Sequence, residues 1–232
     1  MGKRWLIVLA LFLSACSSQE ITWQPVELNT ANENITIIGD FYHADSDKGV
    51  ILLHMLGGSK EDWRDFALDL QKSGYNVLAI DFRGHGASWG DWNTFDGDQF
   101  RKMVFDVDAA RKALGKFGVS NVGIIGASLG ANIAVNYAAG QPSIKTIVLL
   151  SPSLDYKGIE TGDAITRYQG PVFIVVSKDD TQSYDGSNNL YSKVPGKKQL
   201  QVYEGLNHGT VMLSKESGLK ALIEIWLDSQ MG

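Results

Sequence analysis

The chain has 232 residues, 44% of them hydrophobic and 20% charged, with one cysteine and a formal net charge of −5. That length and apolar content suit one globular domain with a sizeable core, and an acidic balance with no Lys/Arg-rich stripe argues against nucleic acid as a partner. One Cys excludes an intrachain disulfide, and with no Cys/His metal spacing and no phosphate loop, neither a metal nor a cofactor is expected.

At the N-terminus, Lys3 and Arg4 precede nine apolar residues, 5–13. A spanning helix needs about 20 residues, so this run suits the core of a signal peptide instead. It ends in Leu13-Ser14-Ala15-Cys16, which resembles the lipobox of bacterial lipoproteins. The resemblance implies a signal peptide over residues 1–15, removed before Cys16, and acyl chains on Cys16 that anchor the protein to a membrane. An ordinary secretory signal cut after Ala15 is the alternative. Without Lys3 and Arg4, the only charges before Cys16, the formal charge becomes −7. Ser17, by resemblance to lipoprotein sorting in Gram-negative bacteria, favours the periplasmic face of the outer membrane within the cell envelope. Residues 16–33 are expected to be a tether and residues 34–232 the domain. Ile21, Trp23 and Val26 leave open a docked extra strand in that tether.

Strand and helix patterns then alternate, which implies a parallel sheet covered on both faces. Residues 50–53 read as a buried strand entering His54-Met55-Leu56-Gly57-Gly58, and Trp63, Phe66, Ala67 and Leu70 share one helical face. Strand 76–80 leads into Asp81-Phe82-Arg83-Gly84-His85-Gly86-Ala87-Ser88. Phe100, Met103, Val104, Val107 and Leu114 read as another helix. Trp89, Trp92 and Phe95 could line an acyl pocket or simply cover the end of the sheet.

Strand 121–125 runs into Gly126-Ala127-Ser128-Leu129-Gly130, followed by a small-residue helix. A Ser on a sharp strand-to-helix turn is thrust outward, and flanking glycines allow close packing around the corner. Gly86-Ala87-Ser88-Trp89-Gly90 repeats the pentapeptide but follows no apolar run, so context selects Ser128. A Ser hydroxyl needs a base, and the base an orienting acid. Of four His residues, His43, His54, His85 and His208, only His208 lies downstream of Ser128. Strand 172–176, ending in Ser177-Lys178-Asp179-Asp180, falls between them. Residues 146–150 form a further strand, and 219–226 a C-terminal helix. About 20 residues, 151–170, connect that further strand to Val172, room for one helix or loop but not for a cap domain.

The order Ser128, acid, His208, with the 50–58 and 81–88 segments, resembles the α/β-hydrolase superfamily, above all its small, lidless dienelactone-hydrolase and carboxylesterase-like members. Dienelactone hydrolases use a Cys nucleophile, and Ser128 departs from that. The resemblance implies a single-domain α/β-hydrolase fold with a mostly parallel central sheet, helices on both faces and no cap. It implies Ser128, Asp180 and His208 as catalytic residues, with the Leu56 and Leu129 amides as oxyanion donors and His54 and His85 as structural. Asp180 follows from the family's three-residue spacing after Ser177, with Asp179 as the alternative. The expected activity is hydrolysis of a small carboxylic ester through an acyl-enzyme, by a monomer. A thioesterase, peptidase or acyltransferase of the same fold remains open, as does a non-catalytic envelope protein.

Overall fold

The structure, a computed structural model, describes residues 23–31 and 33–232. The elements in chain order are β1 (Trp23–Asn29), β2 (Thr36–Tyr42), β3 (Lys48–Leu53), α1 (Arg64–Lys72), β4 (Asn76–Ile80), α2 (Gly97–Arg101), α3 (Val104–Lys116), β5 (Asn121–Ala127) and α4 (Leu129–Ala139). They continue with β6 (Ile144–Leu150), β7 (Asp155–Tyr156), β8 (Ile159–Glu160), α5 (Ala164–Arg167), β9 (Val172–Ser177), α6 (Thr181–Lys193), β10 (Lys198–Tyr203), α7 (Met212–Lys215) and α8 (Leu219–Met231).

Eight strands form one sheet in the order β1-β2-β4-β3-β5-β6-β9-β10. The six strands from β4 to β10 run parallel, and β1 and β2 are antiparallel additions at one edge. The central strands are apolar throughout because both faces are covered. Alternate residues divide between two cores, as the two-residue strand period requires. Ile51, Leu78, Ile124, Leu149 and Ile174 face α3 and α4. Leu52, Ala79, Ile125, Val148 and Phe173 face α1 and α8. The chain leaves β3 for β4 on one side and returns to β5 on the other, so the sheet's switch point lies between β3 and β5. Ligands bind in the crevice at such a point, beyond the carboxyl ends of the strands.

Three stretches differ from the sequence expectation. Trp23–Asn29, within the segment expected to be a tether, pairs along its length with Thr36–Tyr42, so the docked strand left open for this region is what forms. The helix expected over Phe100 to Leu114 is two, α2 and α3. The Phe105 amide bonds to the Lys102 carbonyl and that of Asp106 to Met103, three-residue steps that tighten the turn and redirect the chain. The 151–170 connection carries the β7–β8 hairpin and the single turn α5, which leaves no cap. The expected signal peptide and Cys16 lie outside the described residues, and among those described no helix is long and apolar enough to cross a membrane.

Candidate active site

Ser128 stands between β5 and α4 with φ 50° and ψ −112°. A positive φ is strained for a non-glycine residue and persists only where its surroundings enforce it. Here its amide donates to the Leu150 carbonyl at 2.8 Å, and its carbonyl accepts from the Ala131 and Asn132 amides. Both motif glycines are fixed by contact. A Cβ on Gly126 would sit 2.3 Å from the Gly130 carbonyl oxygen, and one on Gly130 would sit 2.3 Å from that of Leu53. This packing brings the N-terminus of α4 against the end of β3, where Leu56 follows.

His208 lies in the loop after β10, and Asp180 stands immediately before α6, after β9. The His208 Nδ1–H donates to Asp180 Oδ2 at 2.6 Å, and the Ser183 hydroxyl lies 3.5 Å from the same nitrogen. Asp179, one residue earlier, is exposed and uses its amide on the Gly205 carbonyl. Neighbouring side chains diverge, and it is Asp180 that meets the imidazole. With Nδ1 protonated and committed, the Nε2 lone pair is free to accept a proton.

Ser128, Asp180 and His208 line one cavity of about 240 Å³ with Ser151, Ser153, Tyr156, Gln182 and Ser183. Ser128 and His208 line the same cavity, and among the described residues no hydrogen bond links them directly. The Leu56 and Leu129 amides have no hydrogen-bond partner among the described residues, which leaves both donors available. Met55 packs its sulfur toward Gly209, joining this loop to the His208 loop.

The second pentapeptide is structural. Ser88 is buried, donates to the Asp81 carbonyl at 2.7 Å and accepts from the Ile38 amide at 2.8 Å. The Gly86 position is filled by the Asp81 carboxylate, 2.2 Å from where a Cβ would stand. Arg83 lies buried in a paired contact with Asp106, 2.8 Å at its shortest. His54 donates from Nδ1 to the Met55 carbonyl at 2.7 Å and accepts the Phe82 amide at Nε2, 3.0 Å away. Burial pushes its pKa down to about 3, so this imidazole is neutral and fully occupied. His85 donates to the Arg83 carbonyl and stacks on Trp92 with rings 9° apart. Trp92 and Phe95 thus cover the sheet end, and neither they nor Trp89 line the cavity. The residues that sequence reasoning missed are the polar cavity walls and buried Asn132. Asn132 lies one helical turn after Ser128, a spacing that could have marked it.

Residues 49–164 match the family model described as alpha/beta hydrolase fold. The chain belongs to that family. A thermostable monoacylglycerol lipase from Bacillus sp. (strain H-257) is 25% identical over 166 residues, 70% of this chain and 63% of the relative. The chain spans less than two thirds of the length of the curated relatives it matches. Among solved structures, an esterase from Pyrococcus furiosus superposes with a TM-score of 0.76 at 24% identity, covering 91% of this chain and 94% of its own. A dienelactone hydrolase from Anabaena variabilis gives a TM-score of 0.73 at 18% identity, covering 91% and 99%. The structural likenesses extend the α/β-hydrolase fold over nearly all the described residues.

Proposed function

We propose that this α/β hydrolase cleaves carboxylic esters with Ser128 as nucleophile, His208 as base and Asp180 as orienting acid. The observation that carries the reading is the 2.6 Å contact of His208 with Asp180 in the cavity that Ser128 also lines. The matched lipase and esterase support the choice of an ester.

In the first step Ser128 Oγ attacks the ester carbonyl carbon while its proton passes to His208 Nε2. Charge builds on the carbonyl oxygen, where the Leu56 and Leu129 amides supply preorganised donors. Loss of one such donor typically costs about 3–4 kcal/mol. The C–O bond to the alcohol then breaks, and His208 gives its proton to the departing oxygen. Water repeats the sequence on the acyl-enzyme, losing a proton to His208 and releasing the carboxylic acid and Ser128. Asp180 keeps the imidazole in the required tautomer and stabilises its cation. The test is turnover of p-nitrophenyl acetate by the purified protein. Ser128→Ala, folded by circular dichroism, should lose it; full activity in that variant contradicts the mechanism.

We also propose that acyl chains on Cys16 hold the protein to a bacterial membrane. Leu13-Ser14-Ala15-Cys16 motivates this, and several acyl chains anchor stably where one would be marginal. Intact mass of protein extracted from membranes should show fatty-acid increments that Cys16→Ser lacks. An unmodified Cys16 thiol in the mature protein rules the anchor out and leaves the chemistry unaffected.

A further inference from the structure

Resting on the ester-hydrolase reading of Ser128, we propose that the alcohol part of the substrate is a small polyol. Beyond the three reacting residues, every side chain lining the cavity carries a hydrogen-bonding group: Ser153, Tyr156, Gln182 and Ser183, together with Ser151, whose hydroxyl is already committed to the Gly209 amide and the Met212 sulfur. At about 240 Å³ the space is below the roughly 300–1,000 Å³ of usual small-molecule sites.

The wall is also held in place. Asn132, fully buried on α4, accepts the Ser153 amide at 3.1 Å and donates to Ser153 Oγ at 3.2 Å and to the Ile159 carbonyl at 3.1 Å. Thr161 donates to the Ser153 carbonyl at 2.7 Å. A hydroxyl has one donor and two lone pairs; with Asn132 on one lone pair, Ser153 keeps its proton for the cavity. Ser183 is buried with its oxygen toward His208. Beside it, exposed Gln182 offers both a donor and an acceptor.

The position of this wall assigns it to the alcohol. The carbonyl oxygen belongs with the Leu56 and Leu129 amides, at the ends of β3 and β5. The leaving oxygen must lie within reach of His208 Nε2 to be protonated. The polar wall comes from the segments after β6 and β9, on the same side of β5 as the His208 loop that follows β10, and on that ground it is assigned to the departing alkoxy group. Methylenes laid there would strip water from these groups and return nothing. Hydroxyls would replace the lost hydrogen bonds, and sites built this way reject analogues that lack them.

The test compares propyl acetate with 2,3-dihydroxypropyl acetate, which share the acyl group and carbon count and differ by two hydroxyls. Acetate release should give the diol ester a kcat/KM at least about 10-fold higher, the ratio that one satisfied hydrogen bond supports. Gln182→Leu, at an exposed position that the fold does not need, should cut that ratio several-fold, as should Ser153→Ala. Equal or faster turnover of propyl acetate, or a ratio moved by neither variant, overturns the proposal. Turnover of neither ester by a protein whose Ser128 reacts with a fluorophosphonate overturns it as well. If Ser128 does not react, the ester-hydrolase reading itself fails and the polyol assignment falls with it.

Discussion

Ser151 Oγ accepts the backbone N–H of Gly209 at 3.1 Å, tying the end of β6 to the residue after His208. The same strand end accepts the Ser128 amide through Leu150, so one turn of chain sets the relative position of nucleophile and base. Ser151 is buried and holds φ at 52°, a conformation that costs a non-glycine residue about 1–3 kcal/mol. Ser151→Gly should release that strain and lose two hydrogen bonds, one from the Gly209 amide and one to the Met212 sulfur, together worth about 1–2 kcal/mol, leaving thermal stability close to that of the wild type. Turnover should fall about 10-fold with KM little changed, since a base displaced by a fraction of an ångström impairs chemistry more than binding. Unaltered kcat in a folded Ser151→Gly enzyme contradicts this role.

The two motif glycines should be irreplaceable for steric reasons. Alanine at Gly130 places a Cβ 2.3 Å from the Leu53 oxygen, and no flexible side chain is there to yield. The β3–α4 contact must open, at a cost of about 3 kcal/mol or more. Denaturant midpoints for Gly130→Ala and Gly126→Ala should both drop sharply, whereas Gly140→Ala, with no neighbour closer than 3.7 Å, should barely move.

Asp180→Asn should reduce turnover about 10⁴-fold with the fold retained, because Nδ1 loses the acceptor that fixes its tautomer. Asp179→Asn should cost less than 10-fold, as its carboxylate does not reach His208. Steady-state kinetics on the two variants separate them, and the reverse order would move the acid to Asp179.

Acid should weaken the fold through His54. Its folded pKa, about 3, lies below the unfolded value near 6.5. Between those values the unfolded chain binds a proton that the folded one refuses. Stability is therefore complete above about pH 6.5 and declines as pH falls, by up to about 1.4 kcal/mol per pH unit for this one group. The buried Asp106 carboxyl, raised to about 6 by desolvation, acts in the opposite sense, so the His54 contribution is read from the difference between wild type and His54→Gln in melting temperature from pH 8 to pH 5. His54→Gln should be less stable at pH 8 and less steep across the range; identical slopes would refute the assignment.

The parts of the molecule legible in the sequence are those whose pattern is local. Strands β3 to β6 and β9 are continuous apolar runs because both faces are buried, and the elbow shows because glycines bracket Ser128. By contrast, α6 carries no apolar period. Its buried face is Ser183, Gly186, Ser187 and Leu190, small residues that let it approach the 151–154 segment to the point where a Cβ on Gly186 would lie 2.9 Å from Ser153 Cα. β1 was obscured because only Leu28 of its seven residues is buried, as befits an edge. The polar cavity wall was hidden for a third reason. Ser151, Ser153 and Ser183 are brought together by tertiary contacts, and an isolated serine after a strand reads as a turn.

The chemistry of this cavity depends on Ser128 being an activated nucleophile. The most direct test is labelling the folded protein with a fluorophosphonate and mapping the modified peptide by mass spectrometry. One equivalent should add to Ser128, none to buried Ser88, and Ser128→Ala should remain unlabelled. A folded wild-type protein that takes up no label, or that carries it on another serine, would rule out Ser128 as the nucleophile.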